Sequence, residues 1–173
     1  LNILAAINVA LLLKIPTNEI SSKLYTFKGV EHRIEYVANL NNVKYYNDSK
    51  ATNIDSVIAA INSFKSPITL ILGGLDKGAD FKALKKIVKK KKISIVAYGS
   101  AAERISKTLR DAANLYLTDK LKEAIEISNK VTHPGEIVLL SPGCASYDQF
   151  LNFEERGLFF KQTVKAFAIA WHT

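Results

Sequence analysis

Cysteine is scarce in this 173-residue chain, and Cys144 is the only one. A single thiol excludes a disulfide framework and any zinc site built from several cysteines, and it suits a reducing compartment. No stretch approaches the ~20 apolar residues that span a bilayer, because the longest apolar run, residues 3–13, contains Asn8 and is followed by Lys14. The sequence also lacks a signal-peptide pattern at its start. We therefore expect a soluble, cytoplasmic domain that does not bind membranes.

Methionine is absent, and the chain begins at Leu1. Because translation starts at methionine, we expect these residues to be a fragment of a longer protein. Acidic residues are also in the minority: 24 Lys and Arg face 16 Asp and Glu, which gives a formal net charge of +8. Such a balance predicts an anionic partner, which could be a phosphate, a nucleotide, a carboxylate or a nucleic acid.

Short apolar runs alternate with amphipathic stretches from residue 33 onward. This alternation predicts an α/β fold with a doubly wound, mostly parallel sheet, helices on both of its faces and an N-terminal hairpin. Before it, residues 2–14 and 18–27 resemble the last helices of a preceding domain. The predicted strands are residues 34–38, 43–46, 68–72, 93–98, 115–117 and 137–140, with a turn at 39–42. The predicted later helices follow residue 48 up to 63, then cover residues 81–88, 101–109, 121–130 and 147–170.

Three polar loops follow predicted strands, at residues 47–53, 73–80 and 141–146. In a doubly wound sheet, ligands bind where loops leave the carboxyl ends of the strands. These loops together offer lysine ammonium groups, hydroxyl groups and backbone N–H groups, which are the donors that recognise a carboxylate or phosphate. Each loop alone is also typical of an ordinary turn. Three of them at one edge favour an anion-binding site.

The glycine loop does not complete a Walker phosphate-binding motif. Gly73 and Gly78 have the Walker spacing, but Ala79 and Asp80 stand where Lys and Ser or Thr should follow. The sequence therefore contains no recognisable loop for a nucleoside triphosphate. We interpret Lys77 as a fixed cation directed at a carboxylate.

Two other features have simple structural explanations. Cys144 lies in a loop after a strand, like a nucleophile, but His32, His133 and His172 are not obvious bases for it, and their spacing is not that of a metal site. We therefore interpret Cys144 as a small buried residue and expect neither a catalytic residue nor a metal site in these residues. The lysine run at residues 85–92 lacks interleaved aromatics, so we interpret it as a solvated helix end and expect no nucleic-acid partner.

The three loops, in this order, resemble the C-terminal part of the ATP-dependent Mur ligases, and within that family the members that add D-glutamate. The resemblance depends on NDSKATN (residues 47–53), GGLDKGADF (73–81) and SPGCAS (141–146). It continues through DQF (148–150) and NFEERG (152–157). The resemblance also includes residues 32–33 and 2–6, and so it covers nearly the whole chain.

This resemblance implies a three-domain ligase of peptidoglycan biosynthesis. Residues 1–29 would end the central ATPase domain, and residues 30–173 would form the Rossmann-like C-terminal domain that brings the amino acid. The family reaction uses ATP and Mg²⁺ to activate the carboxylate of UDP-N-acetylmuramoyl-L-alanine as an acyl phosphate, which the amine of D-glutamate attacks. The phosphate loop and the magnesium ligands would lie outside this chain, so we expect no catalysis from it alone. We expect a monomer.

The resemblance also assigns residues to two sites. Thr52, Lys77, Ser146, Tyr147 and Phe153 would form the D-glutamate pocket, in which Lys77 supplies charge, the hydroxyl groups donate hydrogen bonds and Phe153 packs on the aliphatic part. Four further residues would contact the nucleotide at the interdomain cleft: Asn2, Arg33, Asp48 and Lys50.

Two alternatives from other classes remain open. One is a free-standing Rossmann-like module that binds small anions without catalysis. The other is a basic RNA-binding domain, whose affinity would fall steeply with salt and would not respond to D-glutamate.

Overall fold

One sheet organises the molecule. The computed structural model describes the backbone of residues 2–27 and 29–170 and the side chains of residues 3–27 and 29–167. The strands are β1 Glu35–Leu40, β2 Val43–Asn47, β3 Ile68–Gly73, β4 Ser94–Tyr98, β5 Leu115–Thr118 and β6 Ile137–Gly143. The helices are α1 Asn2–Leu12, α2 Thr17–Thr26, α3 Ile54–Asn62, α4 Lys85–Lys91, α5 Ala102–Leu109, α6 Leu121–Val131 and α7 Phe153–Ala170.

The strand order is β1-β2-β6-β3-β4-β5. β1 runs antiparallel to β2, and every other neighbouring pair is parallel. The sheet therefore starts with a hairpin and continues as a parallel sheet with β6 and β3 at its centre. The predicted α/β class, the mostly parallel sheet and the N-terminal hairpin are confirmed.

Each face of the sheet buries its own apolar core. In β3, Leu70 and Leu72 belong to the core formed with α3, α4 and α5, whereas Ile71 belongs to the core formed with α6 and α7. Successive side chains of a strand point to opposite faces, so an uninterrupted apolar strand serves two helical layers at once. All six residues of β3 are buried, which explains why this strand reads as a continuous apolar run.

The hairpin turn is shorter than the sequence predicts. β1 continues through Asn39 and Leu40, so only Asn41 and Asn42 form the turn. Both have positive φ, at 50° and 64°. Two-residue hairpins require this left-handed backbone, and asparagine adopts it more readily than most residues.

The last helix begins six residues later than predicted, at Phe153 instead of residue 147. The Asn152 side chain accepts a hydrogen bond from the Glu155 N–H (2.7 Å), and the Glu155 carboxylate accepts one from the Leu151 N–H (2.7 Å). Asn152 thus caps the first turn, and Glu155 reaches back to the residue before the cap, in a variant of the capping box that fixes the helix start. Residues 147–152 are consequently free to form a loop near the carboxyl ends of the parallel strands.

Two other predicted helices are adjusted at their ends. The helix predicted at residues 81–88 is a 3-10 turn at Phe81–Leu84 followed by α4, which extends to Lys91. The helix predicted at residues 2–14 ends at Leu12, and the positive φ of Lys14 (57°) belongs to the turn before α2. Within the described residues, no helix combines the length and the apolar character needed to cross a bilayer.

Candidate functional site

The three polar loops lie side by side because their strands are neighbours. β6 lies between β2 and β3, so the loops that follow these strands meet at one edge. The Gly143 N–H donates to the Ala51 carbonyl oxygen (2.8 Å), and the Leu75 N–H donates to the Ala145 carbonyl oxygen (2.9 Å). The loop after β6 is thus hydrogen-bonded to both of the others.

A cleft of about 670 Å³ opens between these loops. It brings together all five side chains that the resemblance assigns to D-glutamate: Thr52, Lys77, Ser146, Tyr147 and Phe153. Ser146 is buried at its base, whereas Thr52, Lys77 and Tyr147 are exposed. This volume is typical of a small-molecule site.

Two ammonium groups lie over aromatic rings of this region. The Lys77 Nζ lies 5.1 Å from the centroid of the Tyr147 ring, and the Lys50 Nζ lies 4.8 Å from the centroid of the Phe153 ring. Both distances are within the range of a cation–π interaction, which orients an ammonium group without neutralising its charge. The cleft therefore keeps a positive charge available beside an apolar surface.

The cleft also contains polar residues to which the sequence assigned no individual role. Asn53 caps α3, because its side-chain oxygen accepts a hydrogen bond from the Ser56 N–H (2.9 Å). Asp55 and Asp80 line the cleft as well. Carboxylates near a lysine suit a ligand that carries an ammonium group together with carboxylates. The N-cap signature Asn-x-x-Ser at the start of an apolar-periodic stretch could have indicated Asn53.

Arg156, to which the sequence pattern assigned no role, holds the loops together from the buried side of the cleft. Its guanidinium is fully buried, with 0% of the residue exposed. It donates to the Ser49 hydroxyl (2.9 Å), the Ser49 carbonyl oxygen (2.8 Å) and the Cys144 carbonyl oxygen (3.1 Å). The Ser49 hydroxyl in turn donates to the Phe153 carbonyl oxygen (2.8 Å). One cation thus connects the loop after β2, the loop after β6 and the start of α7.

Three of the four residues assigned to the nucleotide lie at a second, smaller cavity of about 140 Å³. Arg33, Asp48 and Lys50 line it. Asn2 belongs to α1, but its side chain lies outside the described residues. Since Lys50 contacts the Phe153 ring as well, this cavity and the cleft share one wall.

Asp48 is a buried carboxylate with partners inside the chain. Its two oxygens accept hydrogen bonds from the Ile34 N–H (3.2 Å) and the Ser141 hydroxyl (2.8 Å). Burial raises the pKa of Asp48 to about 6, although these hydrogen bonds and the nearby Arg33 oppose the shift. Both oxygens are engaged, so Asp48 ties the hairpin to β6 and reaches a ligand only by rearranging these bonds.

Cys144 is buried, as the sequence predicts. Only 2% of its surface is exposed, and burial raises the pKa of the thiol to about 12. A thiol with that pKa is protonated at neutral pH and is a poor nucleophile. The structure therefore agrees with a packing role for this residue.

One cluster has the composition of a metal site. Oxygen and nitrogen atoms of Glu31, His32 and Glu35 lie within 4.8 Å of one another. However, the Lys161 Nζ forms hydrogen-bonded ion pairs with Glu31 (2.5 Å) and Glu35 (3.0 Å). A side-chain ammonium group thus already supplies the positive charge there, and we interpret the cluster as an ion-pair network between α7 and the segment that leads into β1.

The lysine-rich end of α4 lies at the opposite end of the parallel strands from the cleft, where β4 begins. The Lys91 Nζ donates to the carbonyl oxygens of Ile61 (2.8 Å) and Phe64 (2.7 Å), which closes the end of α3. Lys85 pairs with Asp111 at 3.8 Å. These two lysines have partners within the chain, whereas Lys89, Lys90 and Lys92 are exposed, as a solvated helix end predicts.

Comparison with known proteins identifies the family. Residues 32–144 match the family described as "Mur ligase, glutamate ligase domain". The match covers more than half of the chain and includes the first two polar loops and most of the third. The chain belongs to this Mur ligase family. The resemblance noted from the sequence is thereby confirmed.

Curated relatives of this Mur ligase chain carry a more specific name. The UDP-N-acetylmuramoylalanine--D-glutamate ligase of Caldanaerobacter subterraneus subsp. tengcongensis is 47% identical over 94% of this chain and 37% of the relative. The ligase of the same name from Pelotomaculum thermopropionicum is 44% identical over 94% of this chain and 36% of the relative. The chain thus spans little more than a third of the length of these relatives.

Solved structures of two other ligases share the fold. The UDP-N-acetylmuramate-alanine ligase of Thermotoga maritima superimposes with a TM-score of 0.70 at 13% identity, over 98% of this chain and 37% of that one. A pseudomurein peptide ligase type C from Methanothermus fervidus gives a TM-score of 0.69 at 18% identity, over 96% of this chain and 35% of that one. At such low identity, these structures establish the fold alone.

Proposed function

We propose that this chain is the amino-acid-binding C-terminal domain of an ATP-dependent ligase that adds D-glutamate to UDP-N-acetylmuramoyl-L-alanine. The observation that carries the proposal is the cleft, in which Thr52, Lys77 and Ser146 converge from three loops. The names of the curated relatives support the choice of substrate.

The chemistry of the cleft suits a dicarboxylate. The Lys77 ammonium group pairs with one carboxylate, and the hydroxyl groups of Thr52 and Ser146 donate hydrogen bonds to carboxylate oxygens. The rings of Phe153 and Tyr147 pack on the methylene groups between the carboxylates. In this arrangement the domain holds D-glutamate by its acidic groups and leaves the amine free to react.

The reaction then proceeds in two steps. ATP transfers its γ-phosphoryl group to the L-alanine carboxylate of the UDP-linked substrate, which yields an acyl phosphate and ADP. The D-glutamate amine attacks the acyl carbon, loses a proton, and expels inorganic phosphate as the amide forms. Arg33 and Lys50 would approach the nucleotide from the smaller cavity. Mg²⁺ would neutralise phosphate charge when bound. Since Lys161 already pairs with the acidic cluster near His32, we assign no magnesium ligand to that cluster.

We also propose that residues 1–29 belong to the central ATPase domain and residues 30–173 to the C-terminal domain. No described residue of α2 is buried. In and around α1, Leu4, Leu12 and Leu13 are 64%, 82% and 70% exposed. α1, α2 and the segment after them form an apolar hollow of about 690 Å³. Exposed apolar surface of this extent is typical of an interface with further protein.

The test measures release of inorganic phosphate by the full-length polypeptide that the gene encodes. We expect release of inorganic phosphate that requires ATP, UDP-N-acetylmuramoyl-L-alanine and D-glutamate together, with L-glutamate and D-alanine as poor replacements. The 173-residue chain alone should release none. Phosphate release that does not depend on D-glutamate would refute the proposed substrate. Binding of D-glutamate without any turnover would instead support a small-anion-binding module.

A further inference from the structure

The loop that carries Lys77 is closed by its own aspartate. The Asp76 carboxylate accepts hydrogen bonds from the N–H groups of Gly78 (2.9 Å) and Ala79 (3.2 Å). The chain therefore folds tightly around Lys77. Burial opposes ionisation of Asp76, but hydrogen bonds from Arg104 and from these two N–H groups outweigh it and lower the pKa of this carboxyl.

Arg104 of α5 holds this loop from outside. One terminal nitrogen of its guanidinium pairs with the second oxygen of Asp76, and the other donates to the Ala79 carbonyl oxygen (2.6 Å). The guanidinium also lies over the Phe81 ring, 5.3 Å from its centroid. The planar fork of an arginine can bridge two acceptors at once, which a lysine ammonium group does less well. Arg104 thus joins the residue before Lys77 to a residue after it.

Lys77 itself has little else to fix it. Among the described residues, its side chain donates no hydrogen bond. Its ammonium group contacts only the exposed Tyr147 ring, by a cation–π interaction, within that part of the chain. The location of its ammonium group therefore depends on the conformation of the loop. The Arg104 side chain is 47% exposed, and ion pairs in such positions contribute little to global stability. Loss of Arg104 should consequently disturb the loop more than the fold.

We propose that Arg104 is a positioning residue that sets the affinity for the acidic amino acid by holding Lys77 over the cleft. The proposal rests on the proposed function of the cleft. Arg104 lines no part of the cleft, so it acts through the loop and not by touching the ligand. In this arrangement α5 determines how well a carboxylate is bound on the other side of the loop.

The first experiment measures steady-state kinetics of the full gene product with Arg104→Ala. We expect the KM for D-glutamate to rise about tenfold, because a misplaced cation loses its ion pair, while kcat and the KM for ATP change less than about twofold. Arg110→Ala is the matched control, since Arg110 lies exposed at the end of α5. A fall in kcat with an unchanged KM for D-glutamate would overturn the proposal.

A double-mutant cycle tests whether Arg104 acts through Lys77. In a Lys77→Ala background, Arg104→Ala should raise the KM for D-glutamate less than about twofold further. Equal effects in both backgrounds would overturn the proposal, because Arg104 would then act independently of Lys77. Wild-type enzyme that turns over without any dependence on D-glutamate would overturn the proposed function and this proposal together, whereas a D-glutamate-dependent wild type with an unaffected Arg104→Ala variant would overturn this proposal alone.

Amide hydrogen exchange gives a readout without substrate. We expect the N–H groups of Gly78 and Ala79 to exchange faster in Arg104→Ala than in Arg110→Ala, at an equal melting temperature. Unchanged exchange at both positions would contradict the role of Arg104. A fall in the melting temperature of Arg104→Ala as large as that of Gly73→Ala would also contradict this role, because it would show that Arg104 stabilises the whole fold.

Discussion

The front and the back of the cleft are built differently. At the back, Arg156 is fully buried, and a side chain at Gly73 or Gly74, where β3 ends, would overlap neighbouring backbone. At the front, Thr52 and Lys77 are exposed, and Tyr147 is 63% exposed. The back therefore determines where the loops lie, and the front determines what they can bind. Substitutions should separate the two, because changes at the back alter stability and changes at the front alter affinity.

Gly73→Ala should have the largest effect. Gly73 has a φ of +138°, and a Cβ there would overlap the Tyr98 carbonyl oxygen of the neighbouring strand. The central sheet would have to shift, so we expect a loss of about 4 kcal/mol or more in the free energy of unfolding. Urea denaturation measures it. Gly78→Ala is the control: its φ is +88°, but nothing lies within 4 Å of the added Cβ, so about 1 kcal/mol of backbone strain is expected. Equal losses would show that packing at the back is not what distinguishes the two sites.

Arg156→Lys should come next. Lysine keeps the charge but cannot reach both Ser49 and the Cys144 carbonyl oxygen with the geometry of a guanidinium. The buried acceptors left without a donor should cost about 3 kcal/mol of unfolding free energy. Arg110→Lys, at an exposed position, should cost less than about 0.5 kcal/mol. A thermal melt that is the same for both variants would disprove the structural role assigned to Arg156.

Lys77→Ala tests the role of the exposed front of the cleft in binding. Loss of a charged hydrogen bond to the ligand costs about 1.5–3 kcal/mol, so the KM for D-glutamate should rise about 10- to 100-fold with no change in melting temperature. Lys82→Ala, in the exposed part of the neighbouring 3-10 turn, should leave the KM unchanged. An unaltered dependence on D-glutamate in Lys77→Ala would remove Lys77 from the site.

Asp48 gives the smallest effect, and it depends on pH. Its pKa is raised to about 6 in the folded state, against about 3.9 in the unfolded chain. Ionised Asp48 therefore costs stability above pH 6, and protonation removes that cost as the pH falls towards 4. Relative to Asp48→Asn, the wild type should gain on the order of 2 kcal/mol between pH 7.5 and 4.5. Urea denaturation at several pH values measures the difference, and a constant difference would contradict the raised pKa.

The fold was largely predictable because its signals are local. The apolar run of β3 and the periodicity of α6 each indicate one element, and their alternation predicts the parallel sheet. The exact ends were not predictable in the same way. The start of α7 depends on the hydrogen bonds of the Asn152 and Glu155 side chains to the Glu155 and Leu151 N–H groups. The Asn-x-x-Glu spacing is present in the sequence, but the longer helical periodicity obscured it.

The cleft was predictable only in part. The three loops could be expected to meet, since loops after parallel strands share one edge of a sheet. Arg156 and Arg104 could not be found this way, because each acts on loops far from it in sequence. Arg156 contacts Ser49, which lies 107 residues away along the sequence. No local sequence pattern can predict a contact between residues so far apart in the chain. Residues that hold a site together appear when the fold brings separate segments into contact.

The order of the strands has a consequence for how the chain is made. β6 is the last strand along the chain, yet it lies between β2 and β3 at the centre of the sheet. Until residue 143 has left the ribosome, the hairpin and the β3-β4-β5 half remain two separate pieces, each with an open edge that can pair with another chain. Synthesis that stops before β6 should therefore yield aggregates instead of a smaller folded domain.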